Sequence, residues 1–305
     1  MIGERLCIGD TIGLICPSSA ENAETIQNGI EFFKNQGFNI KEGKNIYKRF
    51  GYLAGTDRER ADDINNMFLD PYVKMILCIR GGYGSMRTLP YIDFNIIKNN
   101  PKIFVGFSDI TTYLNSFYDK CNLITFHGPM VNSNFNDEFT LKSLLNTVMN
   151  GYKPITIKNP DNILTTSNSS KCVGGILVGG NLSLICSTLS TPFEIDTTNK
   201  ILFIEDVGEE PYAIDRMLTQ LLLANKLQVC TGIVLGQFTK CSLPHYERSL
   251  TLEEIISDRI LSLNIPTLCN FMSGHDYPKL TLPIGAKIKL DCKNGIINVL
   301  EAIVN

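Results

Sequence analysis

The segment KIFVGFSDITTYLNSFY, Lys102–Tyr118, carries the strongest local signal for the fold. An apolar, partly β-branched run ends in Gly106-Phe107-Ser108-Asp109, and an amphipathic helical pattern follows at once. A strand, a tight turn, a serine and a helix in this order present a hydroxyl at the end of a sheet, beside backbone N–H groups. The G-x-S-x-G pattern is incomplete, because Ile110 stands where its second glycine would be. The segment therefore predicts either a nucleophilic Ser108 or an ordinary serine at a helix start.

The rest of the first half alternates strand and helix patterns, which predicts a parallel sheet flanked by helices. The apolar run Val73–Ile79 is typical of a strand buried on both faces, and it leads directly into Arg80–Ser85, RGGYGS. His127 follows a further strand pattern at Leu123–Phe126. Because parallel sheets bind ligands at the carboxyl ends of their strands, we expect Arg80–Ser85, Ser108 and His127 at one edge.

A change in composition divides the chain, which has 305 residues and is long enough for two domains. Residues 150–171 are rich in Pro, Asn, Ser and Thr and lack long apolar runs, which predicts a linker. The domains are then 1–149 and 172–305. Strand patterns dominate the second, with one clear amphipathic helix at about Tyr212–Ala224. The expected class is α/β, with a parallel sheet in the first domain and a smaller, β-rich α/β second domain.

Composition excludes several classes of function. The net charge is −3 and the basic residues are scattered, so no nucleic-acid or anionic membrane surface is expected. No apolar run approaches the ~18 residues of a membrane span, and the N-terminus lacks a signal-peptide pattern. The closest two of the ten cysteines are nine residues apart, which does not favour a structural zinc site. We expect a cytoplasmic protein with buried, unpaired thiols.

The glycines after Val73–Ile79 have two interpretations. Their spacing fits neither common phosphate-binding loop, but Gly81 and Gly82 could direct backbone N–H groups at an oxyanion. The alternative is a plain glycine-rich turn. Arg80 could bind a carboxylate through both guanidinium N–H pairs, or it could form a surface ion pair.

Few side chains are available as a general base, because the chain has only three histidines. His275 lies on a glycine turn after a strand pattern, His127 lies on a similar turn, and His245 resembles an ordinary loop residue. Either of the first two could be the base. Glu205 and Asp206 directly follow the strand pattern ILFI, where a carboxylate could orient a histidine.

Eight segments, in order along nearly the whole chain, resemble the LD-carboxypeptidase family of serine peptidases, which also contains the microcin-immunity peptidases. They are IGLICPSS, IRGGYGSMRTLPYIDF, FVGFSDITTYLNSFY, TFHGPM, VGGNLSLICSTLSTPFEID, FIEDVGEEPYAIDRMLTQL, GIVLGQFTKC and GHDYPKLTLPIGAKIKLD. The resemblance implies a flavodoxin-like N-terminal domain, a smaller β-rich C-terminal domain and a Ser-Glu-His triad. It implies no metal and no other cofactor.

Carried over by position, the resemblance makes Ser108 the nucleophile, His275 its base and Glu205 the residue that orients the base. The N–H groups of Gly82 and Asp109 would bind the oxyanion. The isoleucine at position 110 agrees with the family's own pattern. We add Arg80 as a candidate for binding the free carboxylate of the substrate.

The function implied by the resemblance is removal of the terminal D-alanine from a murein tetrapeptide during cell-wall recycling. The partners would be this small peptide and a second copy of the chain in a homodimer. Cleavage of peptide–nucleotide conjugates is a second reading, and a non-catalytic peptide-binding protein is a third. The chain has no Trp, which disfavours stacking of a nucleotide on an indole, although Tyr or Phe could replace it.

Overall fold

The computed structural model describes all residues from Met1 to Asn305. The chain divides into two compact units. The first contains Met1–Lys153 together with the short returning segments Thr281–Gly285 and Glu301–Asn305. The second contains Pro154–Leu280 and Ala286–Leu300.

The strands are, in chain order, β1 (Thr11–Ile15), β2 (Asn39–Glu42), β3 (Val73–Cys78), β4 (Ile103–Gly106), β5 (Thr125–His127), β6 (Ile155–Lys158), β7 (Thr166–Ser167), β8 (Cys172–Asn181), β9 (Ile201–Val207), β10 (Gly232–Thr239), β11 (Thr267–Cys269), β12 (Leu282–Ile284), β13 (Lys287–Asp291) and β14 (Ile296–Val299).

The α-helices are α1 (Ala23–Asn35), α2 (Asp57–Leu69), α3 (Ser85–Thr88), α4 (Phe94–Asn99), α5 (Thr111–Cys121), α6 (Glu138–Asn150), α7 (Leu182–Ser187), α8 (Pro211–Leu223) and α9 (Leu252–Arg259). Short 3-10 turns cover Leu89–Tyr91, Ser108–Ile110 and Leu261–Leu263. None of the helices is both long and apolar enough to cross a lipid bilayer.

The first unit is built on a six-stranded sheet in the order β12-β5-β4-β3-β1-β2. Strands β1 to β5 are parallel, and β12 adds an antiparallel strand at the β5 edge. The order of the parallel strands, 2-1-3-4-5, is that of flavodoxin-like folds. Every residue of β4 and all but one of β3 are buried, as expected for strands covered by helices on both faces. The predicted α/β class with a parallel sheet is confirmed.

The second unit has an eight-stranded mixed sheet in the order β6-β14-β13-β8-β9-β10-β11-β7. Its centre, β8 to β11, is parallel, so these four strands end at one edge. The outer strands pair antiparallel. Helix α8 buries one apolar face, which includes Ile214, Leu218 and Leu221. The amphipathic pattern at about 212–224 therefore predicted this helix to within one residue.

The segment 150–171 contributes strands to the second sheet. Strand β6 pairs with β14, and β7 pairs with β11. Both are outer strands, and most of their side chains are exposed or half-buried, so they carry little hydrophobic pattern. The polar composition of this segment predicted a linker where two edge strands lie. Edge strands pair through backbone hydrogen bonds and need no apolar side chains, so composition does not reveal them.

The segment Thr56-Asp57-Arg58-Glu59 forms a capping box at the start of α2. The Thr56 hydroxyl accepts a hydrogen bond from the N–H of Glu59 at 3.3 Å, and the Glu59 carboxylate accepts one from the N–H of Thr56 at 2.9 Å. Two N–H groups that the helix leaves without intrahelical partners are thereby satisfied.

Substitution of Gly106, the last residue of β4, tests how tightly the turn after this strand is packed. A Cβ on Gly106 would lie 2.7 Å from Cγ2 and 3.0 Å from Cβ of Ile110, and that Cβ cannot move without the backbone. We expect Gly106→Ala to lower the free energy of unfolding by about 1–3 kcal/mol, as other overpacked cores do.

Gly174 in β8 is the matched control for this change, because a Cβ there would meet only one carbonyl oxygen, at 3.8 Å. Gly174→Ala should change stability by less than about 1 kcal/mol. Urea denaturation of both variants gives the comparison. Equal stability of Gly106→Ala and the unsubstituted protein would contradict the close approach at Ile110.

Candidate functional site

Ser108 lies in a strained turn between β4 and α5. Its φ is 62°, in the left-handed region that a residue with a side chain adopts at a cost of about 1–3 kcal/mol. The 3-10 turn Ser108–Ile110 follows and runs directly into α5. No side-chain hydrogen bond caps the start of either helix, so Ser108 is not the helix-capping serine of the alternative interpretation. A strained serine between a strand and a helix is the geometry of a nucleophile elbow.

The loop after β3 packs its backbone against this serine. A Cβ on Gly81 would lie 3.0 Å from Cβ and 3.2 Å from Oγ of Ser108, so a side chain at this position would crowd the serine. Gly82 has φ 98°, which also favours glycine. Neither the N–H of Gly82 nor that of Asp109 is a donor in the loop hydrogen bonds of the first unit. Both N–H groups therefore remain candidates for the oxyanion donors that the resemblance implies.

Arg80 forms the ion pair that the second interpretation of this residue predicted. Its Nη1 lies 3.5 Å from Oε2 of Glu21 and donates to the carbonyl oxygen of Ala20 at 3.3 Å. The side chain is 35% exposed, and its Nη2 lies 3.9 Å from the position that a Cβ on Gly82 would occupy. The guanidinium therefore adjoins the glycine loop while it interacts with Glu21.

In the second unit, Glu205 and His275 are in direct contact. Oε2 of Glu205 lies 2.7 Å from Nδ1 of His275. Glu205 is fully buried at the end of β9, whereas the His275 side chain is 16% exposed. A buried carboxylate in contact with Nδ1 holds the imidazole ring in one orientation, with Nε2 on the opposite side of the ring.

The loop that carries His275 is held by two residues that the sequence analysis did not select. Gln237 on β10 accepts a hydrogen bond from the N–H of Asp276 at 3.0 Å through its side chain. Lys279, only 3% exposed, donates to the carbonyl oxygens of Gly274 at 2.8 Å and Asp276 at 3.3 Å. Burial lowers the pKa of Lys279 to about 8, although the negative charges of Glu205 and Asp276 act in the opposite direction. No sequence pattern distinguishes this lysine from an exposed one.

Asp206, the other carboxylate considered beside Glu205, has a different set of contacts. Successive side chains of a strand point to opposite faces, so Asp206 is directed away from Glu205. Its carboxylate accepts hydrogen bonds from the side chain of Asn181 at 3.0 Å and from the N–H of Ser183 at 2.9 Å. Burial is the largest cause of a raised pKa at this carboxyl group. Asp206 secures the start of α7.

The other two histidines lie in different surroundings. His127 is the last residue of β5, is 1% exposed and packs its ring edge-on to Phe107, with the centroids 5.9 Å apart. His245 is exposed in the loop between β10 and α9. His275 is the histidine whose ring contacts the Glu205 carboxylate.

The predicted residues thus form two groups. Ser108, Asp109, Gly82 and Arg80 belong to the first unit, at loops that follow β3 and β4. Glu205 and His275 belong to the second, at the carboxyl ends of β9 and β11. The first group contains a serine with a left-handed backbone beside a glycine loop, and the second contains a histidine in contact with a buried carboxylate.

Comparison with known proteins identifies relatives over the full length of this chain. It is 42% identical over 285 residues to a probable murein peptide carboxypeptidase of Bacillus subtilis, covering 93% of this chain and 89% of that protein. A crystal structure of a muramoyltetrapeptide carboxypeptidase from Oxalobacter formigenes matches with a TM-score of 0.85 and 30% identity, covering 95% and 99%. A structure of MccF in complex with glutamyl sulfamoyl guanosine matches with a TM-score of 0.92 and 27% identity, covering 100% and 99%.

Family models cover most of the chain. The model of the LD-carboxypeptidase N-terminal domain matches residues 12–128, and that of the LD-carboxypeptidase C-terminal domain matches residues 174–290. The first match includes the Ser108 turn and the glycine loop, and the second includes Glu205 and His275. The resemblance found in the sequence is confirmed: the chain belongs to the LD-carboxypeptidase family.

Proposed function

We propose that this protein is a serine-type, metal-independent LD-carboxypeptidase that releases the terminal D-alanine from murein tetrapeptides in the cytoplasm. The observation that carries the proposal is the 2.7 Å contact between Glu205 and His275 in a member of this family. The strained Ser108, with φ 62°, supplies a matching nucleophile in the other unit. Ser108, Glu205 and His275 then act as one catalytic unit.

In the proposed mechanism, Nε2 of His275 takes the proton of the Ser108 hydroxyl as Oγ attacks the carbonyl carbon before D-alanine. The N–H groups of Gly82 and Asp109 bind the oxyanion. His275 then protonates the amine of D-alanine as the C–N bond breaks, and an acyl-enzyme remains. Water attacks this ester and gives a proton to His275. His275 passes the proton to Ser108 Oγ as the ester C–O bond breaks, which releases the tripeptide carboxylate and restores the free serine. Glu205 stabilises the protonated imidazole throughout.

The murein substrate is favoured over the other candidates by similarity. The Bacillus subtilis relative, named a probable murein peptide carboxypeptidase, is 42% identical to this chain. A murein tetrapeptide carboxypeptidase of Pseudomonas aeruginosa is 29% identical over 93% of it. A non-catalytic binding protein is disfavoured, because such a protein has no need of a buried carboxylate on a histidine ring.

A second candidate is cleavage of peptide–nucleotide conjugates. It is favoured by the match to MccF bound to glutamyl sulfamoyl guanosine, which extends over the whole chain. The absence of Trp from this sequence weighs against it, because no indole is present on which a base could stack. Both candidates use the same proposed nucleophile, base and oxyanion donors, so the substrate alone separates them.

The proposal is tested with purified protein, a murein tetrapeptide and a peptidyl-nucleotide conjugate, with products identified by mass spectrometry. We expect loss of one D-alanine from the tetrapeptide. Ser108→Ala and His275→Ala should each lower kcat by about 10³-fold or more, because removing one member disables the whole unit. EDTA should leave the activity unchanged.

Two control variants accompany this assay. Ser116→Ala removes another buried serine hydroxyl of the first unit, and His245→Ala removes an exposed loop histidine. Both should retain the activity of the unsubstituted enzyme. Near-native turnover by Ser108→Ala, or EDTA inactivation that zinc reverses, would contradict a serine peptidase. Cleavage of the nucleotide conjugate alone would establish the second candidate.

Arg80 is the proposed contact for the free carboxylate of D-alanine, since a guanidinium matches a carboxylate through two parallel hydrogen bonds. Arg80→Lys should lower kcat/KM for the tetrapeptide by about tenfold or more and barely affect a C-terminally amidated analogue, because lysine lacks the planar fork. Glu21→Gln serves as the control, since it removes the negative charge that pairs with Arg80 and keeps a side chain of the same shape. Equal losses on both substrates, reproduced by Glu21→Gln, would show that Arg80 only shapes the loop.

A homodimer is the expected state of assembly, on the basis of family membership. Multi-angle light scattering at micromolar concentration should give twice the chain mass of 34.0 kDa. A monomer mass at that concentration would refute it.

A further inference from the structure

The carboxylate of Asp109 is almost completely buried, although the residue directly follows the half-buried Ser108. Asp109 is 1% exposed. Its Oδ2 accepts hydrogen bonds from the hydroxyl of Ser18 at 2.5 Å and from the N–H of Ser85 at 2.8 Å. Burial is the largest cause of a raised pKa at this carboxyl group, and these hydrogen bonds oppose the rise. Burial of a carboxylate is unfavourable unless hydrogen bonds replace its lost hydration, so this side chain does more than keep the protein surface polar.

The partners of this carboxylate belong to two other strand-end loops. Ser18 follows β1, and Ser85 ends the glycine-rich loop after β3. Asp109 itself follows β4, and β1, β3 and β4 are neighbours in the sheet. One carboxylate therefore joins the three loops that leave the sheet around Ser108.

A buried arginine joins two of these loops from another side. Arg60 on α2 is 1% exposed, and its Nη1 donates to the carbonyl oxygens of Pro17 at 2.6 Å and Gly84 at 2.8 Å. Its charge is balanced by Asp57 at 2.5 Å. The loops after β1 and β3 are thus fixed to each other, and Asp109 fixes both to the Ser108 turn.

Helix capping does not explain Asp109. An aspartate at a helix start commonly accepts hydrogen bonds from the N–H groups of its own first turn. Here neither the 3-10 turn nor α5 has a side-chain cap, and the carboxylate binds donors that lie 24 and 91 residues away in sequence. The side chain connects loops instead of completing its own helix.

We propose that the Asp109 side chain is the positioning residue that sets Ser108 Oγ and the N–H groups of Gly82 and Asp109 in their reactive arrangement. The inference rests on the proposed function, since it assigns the support of the same site. The left-handed Ser108 backbone immediately precedes this anchor, and Gly81 abuts the Ser108 side chain from the anchored loop. If the Asp109 carboxylate did not hold these loops together, the turn at Ser108 and the glycine loop after β3 could move apart.

The test uses Asp109→Asn, which keeps the shape of the side chain but removes its charge. We expect kcat on the tetrapeptide to fall by about 10- to 100-fold with KM nearly unchanged. A small displacement of the reacting groups slows the chemical step without weakening substrate binding. The rate at which a fluorophosphonate modifies Ser108 should fall in parallel. Amide hydrogen exchange of residues 81–85 should become faster, because the N–H of Ser85 loses a charged acceptor.

Asp63→Asn is the matched control, since Asp63 is a 4% exposed carboxylate that holds a different loop. It accepts hydrogen bonds from the N–H and the side-chain amide of Asn45, both at 2.9 Å. This variant should lose stability but keep its kcat and its exchange rates at 81–85. Ser18→Ala should lower kcat in the same direction as Asp109→Asn, with Ser116→Ala as its control, and it provides the test if Asp109→Asn does not fold.

The outcomes separate this inference from the proposed function. A folded Asp109→Asn with unchanged kcat, or an equal loss in Asp63→Asn, overturns the inference. Unchanged exchange at 81–85 overturns it whether or not the protein cleaves peptides. Absence of turnover and of Ser108 labelling in the unsubstituted protein, with faster exchange in Asp109→Asn, overturns the proposed function and supports the anchoring of the loops.

Discussion

The left-handed backbone at Ser108 is the constraint on which the first unit depends. A serine with φ 62° persists only where its neighbours leave no relaxed alternative. Gly106 provides space for Ile110 on one side of the turn, and Gly81 provides space for Ser108 itself on the other. The buried Asp109 carboxylate then holds the turn to two adjacent loops. The backbone strain at Ser108 is thus offset by packing and hydrogen bonds from the loops that follow β1, β3 and β4.

The second unit has a different constraint, because the carboxylate of Glu205 is buried against a histidine. Glu205 has no exposed surface, and a carboxylate in such a place requires a strong partner. His275 Nδ1 provides one at 2.7 Å. Gly274 lets the loop pass close by, because a Cβ there would lie 3.1 Å from Oε2 of Glu205. The buried Lys279 adds a positive charge and fixes the loop through two carbonyl groups.

Adjacent polar residues have opposite roles in both units. Glu205 and Asp206 follow one another on β9, yet one contacts His275 and the other secures α7. Ser108 and Asp109 also follow one another, yet the serine lies at the turn and the carboxylate is buried behind it. The alternation of a strand and the tightness of a 3-10 turn separate the directions of neighbouring side chains. The direction in which a side chain points therefore decides its contacts as much as its residue type does.

Local sequence patterns were sufficient to predict the α/β class, the parallel strands of the first sheet and the family, because buried strands, glycine turns and the order of motifs can all be read along the chain. It also identified Ser108, Gly82, Glu205 and His275 as strand-end candidates. The folded structure was needed to show that Arg80 pairs with Glu21 and that residues within 150–171 form edge strands. It alone revealed Lys279 and the Asp109 carboxylate as buried anchors. The burial of a side chain and its hydrogen-bond partners depend on residues that are distant in sequence, so no local pattern predicts them.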